Sequence, residues 1–293
     1  MGTTPSILLV NKESGKTSFS SLWAIKRLMG KKVGHAGTLD KFAQGLLIVL
    51  TGPMTRLNPL FSNMDKRYRA SIRFGTETDT LDPEGEIVAT AALPSFEEIK
   101  AALPAFQGTV QQVPPSYSAL HVDGQRASDR VRSGEVVEMK SRPVTIYSFE
   151  LLSYEDGLLV ADIFVSKGTY IRSIARDLGK ACGSCAHLEA LVRTEIGPFF
   201  LEEAIKTDDA EALVASQANT ASLLGRLDAM GRAECGWNEL ARLANGIYPP
   251  SVQIRPSDKY VMLFDPEGTL RAILDPTVRK IICHVAPYRP KER

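Results

Sequence analysis

The 293-residue sequence has few of the features that mark secreted, membrane-spanning or broadly nucleic-acid-binding proteins. Four cysteines are too few for a disulfide framework in a chain of this length. The N-terminal apolar run is short and lacks a preceding basic segment, which argues against a secretory signal, and no run reaches the length of a transmembrane helix. The formal net charge is only +1, so a nucleic acid would have to bind at a local basic patch. We therefore expect a cytoplasmic protein with no membrane partner.

Positive charge is concentrated in two segments of the chain. Residues 12–32 carry six lysines and arginines and one glutamate, and residues 124–142 carry five basic and three acidic side chains. Each segment is either a solvated loop or a rim that follows the phosphates of a nucleic acid. The remaining composition is that of a globular protein, with 44% hydrophobic and 24% charged residues.

Apolar periodicity predicts both strands and helices in the first half of the chain. The segment SILLV is typical of a strand, and SSLWAIKRLMG is typical of a helix that ends at Gly30. GLLIVLTG has the continuous apolar character of a buried strand, and YRASIRFG alternates, with Tyr68 on its apolar face. Ser95 and Glu98 form the capping-box signature of a short helix.

In the second half, LVADIFV predicts a strand, and SKGTYIRSIARDLG predicts a turn that leads directly into a helix. Thr169 is a candidate N-cap of that helix, and Gly179 is its predicted end. Residues 202–235 are predicted to be mostly helical, and a turn around Asp265 and Gly268 is predicted to join two strands.

This order of elements indicates an α+β fold with a mixed, mainly antiparallel sheet flanked by helices. We expect a main domain over residues 1–231, which includes an extended insertion at about 108–145. A shift in composition predicts a small β-rich C-terminal module over residues 232–293.

The segment GHAGTLDKFAQGLL, residues 34–47, places one carboxylate in a glycine-rich loop. Asp40 is either a turn aspartate that hydrogen-bonds its own backbone, or a nucleophile or base whose glycine neighbours let a ligand approach closely. The loop pattern alone leaves both interpretations open.

Three more side chains have two interpretations each. Tyr68, within the basic run KRYR, is either a core tyrosine or a platform for a nucleobase. Tyr170 and Arg172 fall in the first turn of a predicted helix, where backbone N–H groups and the helix dipole favour an anion. They are either a packing tyrosine and a surface arginine, or a ligand site in which the guanidinium keeps a nearby carboxylate ionised and aimed.

The histidines and cysteines do not indicate a metal site. His35 is a lone histidine, which is usually structural. Cys182 and Cys185 form a single C-x-x-C without a second pair, and no His/Cys/Asp spacing suits a metal ion. We expect no metal, no cofactor and no chemical role for the two cysteines.

Taken together, several long segments resemble the tRNA pseudouridine-55 synthase family of bacteria, which isomerises a uridine in the T-loop of tRNA. The similarity runs through most of residues 7–200. The segments that carry it are GHAGTLDKFAQGLL, DKRYRASIRFGTETDTLDPEGEI, QQVPPSYSALHVDGQRA, SRPVTIYSFEL, SKGTYIRSIARDLG and CGSCAHLEALVRTEIGPF.

The resemblance implies the pseudouridine synthase fold and a cofactor-free isomerisation of uridine 55 that depends on one aspartate. The catalytic aspartate of the family falls on Asp40. The matching substrate-binding positions are His35, Tyr68, Tyr170, Arg172 and Leu191. The implied partner is the T-arm stem-loop of tRNA, whose uridine must leave its stack to be reached, and the implied state is a monomer. The C-terminal module resembles a PUA-type RNA-binding domain.

The sequence departs from the family pattern at several positions near these residues. Lys41 and Gln44 stand where the family usually has proline and threonine, and Glu13 stands where it commonly has proline. Ser128 stands where an aromatic residue is usual. These departures bear on the shape of the loops and on the fit of tRNA.

Two other functions are compatible with such a chain. One is a non-catalytic RNA-binding protein or tRNA-folding chaperone that keeps the fold, against which the intact Asp40, Tyr68 and Arg172 argue. The other is a synthase directed to ribosomal RNA by a guide RNA, against which the short chain without long basic tails argues.

Overall fold

The structure is a computed structural model that describes residues 4–118, 120–122, 124–250, 252 and 255–286. The strands are β1 (Ile7–Lys12), β2 (Val33–Ala36), β3 (Gln44–Thr51), β4 (Lys66–Phe74), β5 (Thr76–Thr78), β6 (Ile87–Thr90), β7 (Gly108–Gln112), β8 (His121–Val122), β9 (Gln125–Arg126), β10 (Arg142–Glu155), β11 (Leu158–Val165), β12 (Ala186–Ile196), β13 (Phe199–Phe200), β14 (Ile205–Lys206), β15 (Met230–Glu234), β16 (Tyr260–Phe264), β17 (Leu270–Asp275) and β18 (Lys280–His284). The helices are α1 (Trp23–Met29), α2 (Asn58–Ser62), α3 (Phe96–Ala102), α4 (Ala127–Arg132), α5 (Ile171–Ala181), α6 (Ala210–Ser216), α7 (Thr220–Gly225) and α8 (Trp237–Ala244).

Within the described residues, ten strands form one large sheet. Eight of them lie in the order β14-β1-β3-β12-β4-β11-β10-β7, while β2 pairs with β3 and β13 pairs with β12. The β1–β14 and β3–β12 pairs are parallel, and the other pairs of this sheet are antiparallel. The predicted α+β fold with a mixed, mainly antiparallel sheet is therefore confirmed.

The alternation predicted for β4 is confirmed and places the first apolar core. Tyr68, Ala70, Ile72 and Phe74 are buried, while the residues between them are at least partly accessible. Their side chains belong to a cluster that includes the buried face of α5. Full burial of each large apolar side chain contributes about 1.5–3 kcal/mol, so this face fixes α5 on the sheet.

The predicted ends of the helix that follows Gly168 were both wrong. Thr169 donates its hydroxyl to the carbonyl oxygen of Ser166 at 2.9 Å, and α5 begins two residues later without a side-chain cap. Gly179 lies inside α5, where an added Cβ would sit 2.6 Å from the backbone nitrogen of Ala186 in β12. The glycine is thus required by close packing of helix on strand rather than by helix termination.

Two other predicted segments need correction at their edges. The extended insertion at about 108–145 begins and ends in the large sheet, because β7 and the start of β10 form an antiparallel ladder. Only residues 113–141 lie outside that ladder, and they contain β8, β9 and α4. The mostly helical segment 202–235 contains α6 and α7, but it also includes β14 and ends in β15.

The C-terminal part forms a second, four-stranded sheet in the order β15-β16-β17-β18. The predicted hairpin is present between β16 and β17, where the Asp265 carboxylate accepts hydrogen bonds from the backbone of Glu267 and Thr269 and from Arg271. This sheet shares a continuous apolar cluster with the large one, which joins Phe264 and Cys283 to the start of the chain. The exact boundary at residue 231 stays a prediction.

Gly179→Ala should destabilise the fold, although alanine is the better helix former. The new methyl group would overlap the backbone at Ala186, and such overpacking typically costs about 1–3 kcal/mol of unfolding free energy. Gly225→Ala at the end of α7 is the matched control, since its nearest atom would be 3.9 Å away. Urea denaturation of both variants measures the difference, and equal stabilities would contradict the packing argument.

Candidate active site

Two glycines shape the loop that carries Asp40 between β2 and β3. Gly37 has φ +79°, a conformation that favours glycine. Gly45 has φ +113°, and a Cβ there would overlap the backbone of Arg193 in the parallel strand β12. The glycines that stood out in the sequence therefore let the chain turn and let two strands meet closely.

Hydroxyl groups of the segment that follows β1 hold this loop from behind. The Ser18 hydroxyl accepts a hydrogen bond from Leu39 N at 2.9 Å and donates one to Leu39 O at 3.0 Å. The Ser14 hydroxyl donates to Phe42 O at 2.6 Å. The backbone on both sides of Asp40 is thus fixed by side chains distant in sequence.

Lys12 supports the same loop from within the protein. Its ammonium group donates to the carbonyl oxygens of Glu13, Lys41 and Ala43, and the residue is fully buried. Burial lowers the pKa of Lys12 to about 8, while the negative charge of Asp40 opposes that shift. The lysine therefore places a positive charge near Asp40 and binds the loop that carries it.

The Asp40 carboxylate is paired with the guanidinium of Arg172 from the first turn of α5. Arg172 Nη2 donates to Asp40 Oδ1 at 3.0 Å, and Arg172 Nε lies 3.0 Å from Asp40 Oδ2. The Nη2 contact is a hydrogen bond, whereas Nε lies at ion-pair distance without hydrogen-bond geometry, so one hydrogen bond and one close charge contact orient the carboxylate. This pairing is the one expected in the second interpretation of Arg172, whereas the role of Asp40 as a nucleophile or base stays a prediction.

Arg172 is itself held by three further oxygen atoms. Its guanidinium donates to the carbonyl oxygens of Thr80 at 2.9 Å and Tyr117 at 3.0 Å, and to Asp82 Oδ2 at 3.1 Å. Only 5% of its side chain is exposed, so it is not the surface arginine that remained possible from sequence. Asp82 is in turn fixed by the Thr80 hydroxyl and by the backbone nitrogen of Glu84.

The electrostatic environment of Asp40 has opposing components. Burial raises the pKa of the Asp40 carboxyl group, the Arg172 charge lowers it, and the neighbouring Asp82 carboxylate raises it again, with a net shift upward from 3.8. Although 39% of the side chain is accessible from the cleft, surrounding protein atoms replace much of the water around the carboxyl group. Asp40 therefore depends on Arg172 to stay ionised.

Asp40 opens onto a cleft of about 530 Å³ across the large sheet. The cleft brings together five of the predicted site residues, which are Asp40, Tyr68, Tyr170, Arg172 and Leu191. Apolar Leu191 and the ring of Tyr68 form part of its wall, and both are more than nine-tenths buried. The space combines apolar side chains with the Asp40–Arg172 ion pair.

Buried cations lie beneath the Tyr68 side of the cleft. Arg193 is 1% exposed, donates to the carbonyl oxygens of Leu46 and Gly37, and also interacts with the Tyr68 hydroxyl. Lys66 donates to two backbone carbonyls, and burial lowers its pKa to about 8, with Arg193 adding to that shift. Both Tyr68 and the start of the Asp40 loop are tied to Arg193.

The backbone of Tyr170 is clamped by the amide of Gln112 at the end of β7. Gln112 Oε1 accepts from Tyr170 N at 2.8 Å, and Gln112 Nε2 donates to Tyr170 O at 3.1 Å. The guanidinium of Arg142 lies 5.1 Å from the Tyr170 ring centroid. The Gln112 amide thus satisfies the backbone N–H group of Tyr170 just before α5, and Tyr170 lines the cleft.

His35 is the predicted site residue that does not line the cleft in the described part of the chain. It lies half-buried in β2, and its ring nitrogen Nδ1 has no hydrogen-bond partner among the described residues. Burial lowers the pKa of His35, and the charges of Arg193 and Lys26 lower it further. A role in binding substrate stays a prediction for this side chain.

Several residues of the site were missed by the sequence analysis. Asp82, Lys12, Lys66, Arg193 and Gln112 all support the predicted residues from below or behind. The signal for Asp82 was present, because it lies in the segment DTLDPEGEI that contributes to the family resemblance. Lys66, Gln112 and Arg193 also lie in segments that carry the resemblance, whereas Lys12 does not. No local pattern separates the buried cations among them from solvated ones.

The described cysteines are all free thiols. Burial raises the pKa of both Cys182 and Cys185, which keeps them protonated and poorly nucleophilic. Among the described residues, no group of three or more His, Cys, Asp or Glu side chains is placed to hold a metal ion. No helix in the described ranges has both the length and the apolar character needed to cross a bilayer.

Comparisons with known proteins identify the family to which this fold and cleft belong. Residues 26–171 match the TruB family pseudouridylate synthase N-terminal domain, and residues 172–230 match the tRNA pseudouridylate synthase B C-terminal domain. The chain belongs to the TruB family of pseudouridylate synthases.

Two relatives narrow the comparison further. The chain is 44% identical to tRNA pseudouridine synthase B of Borreliella burgdorferi strain ZS7, over 82% of this chain and 85% of that protein. It is 46% identical to tRNA pseudouridine synthase B of Treponema pallidum strain Nichols, over 66% of this chain. The matched region spans only 60% of the Treponema protein's length.

A solved structure supports the fold. A chain from the crystal structure of a Cbf5-Nop10-Gar1 complex superimposes with a TM-score of 0.64 at 23% identity. The match covers 92% of this chain and 78% of that chain. At this level of identity the likeness concerns the fold alone.

Lys12→Met should change how stability depends on pH. The pKa of Lys12 is about 8 in the folded protein and 10.5 ordinarily, so the unfolded chain binds more protons between these values. The lysine's contribution to stability therefore rises as pH increases from about 8 to 10.5, and the variant lacks that increase. Urea denaturation at about pH 8 and about pH 10 measures it, with the exposed Lys41→Met as control. Parallel curves for wild type and Lys12→Met would contradict the assignment.

Proposed function

We propose that the protein is a tRNA pseudouridine synthase that converts uridine 55 in the T-loop of tRNA to pseudouridine, with Asp40 as the catalytic carboxylate. The observation that carries this proposal is the Asp40–Arg172 pair, with two N–O distances of 3.0 Å, at the edge of a cleft walled by Tyr68 and Leu191. Family membership and the names of the relatives support the substrate class.

The reaction is an isomerisation, so the site must supply position and charge rather than an oxidant or a second substrate. The N1–C1′ glycosidic bond breaks, the uracil rotates, and C5 bonds to C1′; N1 gains a proton and C5 loses one. An ionised carboxylate beside the sugar and base suits an attack on C1′ or C6, or formation of a glycal. The arrangement favours none of these three routes over the others.

Each side chain of the cleft has a role in this scheme. Arg172 keeps Asp40 ionised and oriented, which offsets the effect of burial. The Tyr68 ring offers a flat surface on which the detached uracil stacks and turns, and Leu191, on the neighbouring strand, adds an apolar part of the wall. Tyr170 is the second ring on the cleft and contacts the nucleotide from the side of α5.

The target uridine must leave its stack in the T-loop to reach Asp40, as other enzymes that modify bases require. Recognition of the T-arm stem-loop therefore rests on RNA shape and splayed-out bases, to which His35 and the basic segment 124–142 contribute. A cofactor-free reaction, a monomeric state, a cytoplasmic location and a PUA-like role for residues 232–293 are parts of the same proposal.

The rival functions differ from this one in what the cleft must do. Burial makes the ionised form of Asp40 costly, and a buried arginine keeps it charged. An RNA-binding protein or chaperone without activity has no need for such an aspartate. A guide-RNA-dependent enzyme needs surfaces for that guide. The test is to incubate unmodified tRNA with the purified protein alone, digest it to nucleosides and separate these by liquid chromatography before mass spectrometry, because pseudouridine and uridine have the same mass. Pseudouridine formed without a guide RNA supports the proposed function and contradicts both rivals.

Asp40→Asn should abolish pseudouridine formation, because an amide keeps the shape of the carboxylate but lacks its charge. We expect a loss of at least about 10³-fold in kcat with tRNA binding changed by no more than a few-fold. Asp177→Asn is the matched control, since its side chain is 36% exposed, against 39% for Asp40, and also pairs with an arginine. Turnover of Asp40→Asn near the wild-type rate would rule out the assignment.

Arg172 should resist even conservative replacement. Arg172→Lys keeps the charge but cannot make the planar contact with both carboxylate oxygens, so kcat should fall. Arg172→Gln also removes the positive charge, which raises the pKa of Asp40 further. On acidification, this variant should therefore lose activity at a higher pH than the wild type does. Arg176→Lys, one turn along α5, is the control.

The pH profile of kcat distinguishes the two effects of Arg172. An acidic limb that moves to higher pH in Arg172→Gln but much less in Arg172→Lys is the expected result. An acidic limb that stays unchanged in Arg172→Gln would show that another group keeps Asp40 ionised.

A further inference from the structure

Two aromatic side chains at the start of α1 lie on the surface instead of in the core. Phe19 is 60% exposed and Trp23 is 63% exposed, although each has a large apolar ring. Phe19 has helical backbone angles and is followed by a 3-10 turn that leads directly into α1. Residues four apart on a helical backbone share a face, so both rings are presented on one side.

The same face is basic. Lys26 Nζ lies 4.0 Å from the centroid of the Phe19 ring, and Arg27 is exposed four residues after Trp23. Exposed Lys31 and Lys32 follow the helix. We refer to Phe19, Trp23, Lys26 and Arg27 as the α1 surface. No acidic residue lies between positions 14 and 32, so these cations have no acidic neighbour within their own stretch of the chain.

The α1 surface lies beside the Asp40 loop. Ser18, which directly precedes Phe19, hydrogen-bonds both backbone groups of Leu39, and Leu39 directly precedes Asp40. The α1 surface also lies near His35 of β2. The pKa of His35 is lowered mainly by burial, next by the charge of Arg193 and then by the charge of Lys26, so Lys26 is close enough to His35 for their charges to interact. RNA that occupies the cleft therefore passes near the α1 surface.

Exposed aromatic rings surrounded by cations match the chemistry of an unpaired stretch of nucleic acid. Bases stack on aromatic faces irrespective of their identity, and lysine and arginine contact the adjacent phosphates. An acidic protein partner would use the cations but would leave two flat rings without a specific complement. The combination therefore favours RNA as the occupant.

We propose that the α1 surface stacks an unpaired base of the bound tRNA outside the Asp40 cleft, while Lys26 and Arg27 contact neighbouring phosphates. The proposal rests on the proposed function only in taking tRNA as the substrate. It adds a second binding element, which holds the RNA while the target uridine is displaced and rejoined.

Replacement of both rings by leucine tests the stacking. Phe19→Leu with Trp23→Leu keeps apolar volume on the surface but removes the flat faces. We expect the KM and the Kd for full-length tRNA to rise at least about fivefold, because a stacked base typically contributes that much or more to binding. The kcat at saturating tRNA should remain that of the wild type.

The β5–β6 hairpin offers a matched control. Ile87 and Val88 are 63% and 60% exposed, which equals the exposure of the two rings, but they carry no aromatic face. Ile87→Thr with Val88→Thr should leave both the KM and the Kd unchanged.

Fluorescence reports on the contact directly. The chain has two tryptophans, so Trp237→Phe leaves Trp23 as the only one. Addition of tRNA should quench the emission of Trp23 in that variant, because a stacked base quenches indole. The reciprocal variant, Trp23→Phe, reports on Trp237 and shows how much of the change comes from elsewhere.

The outcomes separate this proposal from the proposed function. If the wild type neither binds tRNA nor forms pseudouridine, the proposed function fails. If the wild type is active but the leucine variant has unchanged KM and Kd, or tRNA leaves Trp23 emission unchanged, the α1 surface does not stack RNA and serves another partner, such as a protein. A fall in kcat with unchanged KM also overturns the proposal, since it indicates an effect on the Asp40 loop through Ser18.

Discussion

The arrangement of the site depends on one buried guanidinium. Arg172 has five N–H groups and almost no contact with solvent, so its surroundings must supply oxygen atoms for it. Those oxygens come from three segments distant in sequence, which are the Asp40 loop, the turn with Thr80 and Asp82, and the loop at Tyr117. Removal of one partner of such a buried pair is strongly destabilising, because an uncompensated charge remains. The hydrogen bonds of Arg172 Nη1 and Nη2 therefore hold these segments together, and the segments in turn hold Asp40.

A second set of cations acts on backbone oxygens instead of carboxylates. Lys12, Lys66 and Arg193 donate hydrogen bonds to carbonyl groups of loops and strand ends around the cleft. The cations thereby replace the water that would otherwise solvate these carbonyls. The same burial places positive charge beneath a cleft that is suited to an anionic substrate. The side chains that support the loops thus also bring positive charge to this part of the protein.

The sequence predicted the fold class and five of the residues that meet at the cleft, because long motifs and the period of β4 are local signals. Gly179 was misinterpreted because a glycine that permits close packing looks the same in sequence as one that ends a helix. The insertion was drawn too wide because the ladder between β7 and β10 joins residues about thirty positions apart. Lys12 and Asp82 were missed since their importance arises from burial, and burial of a charge is decided by the whole fold.

The apolar cluster beneath the large sheet joins the first strand of the chain to the last one described. Ile7 of β1 and Cys283 of β18 belong to the same cluster, and so does Leu224 of α7. During synthesis, this cluster cannot close until β18 has left the ribosome, so apolar faces of β1 and β3 remain uncovered for most of translation. Contacts at such long sequence separation slow folding, because loop closure must precede the gain from burial. Docking of the small C-terminal sheet against β1 is thus a late, long-range step in the completion of this cluster.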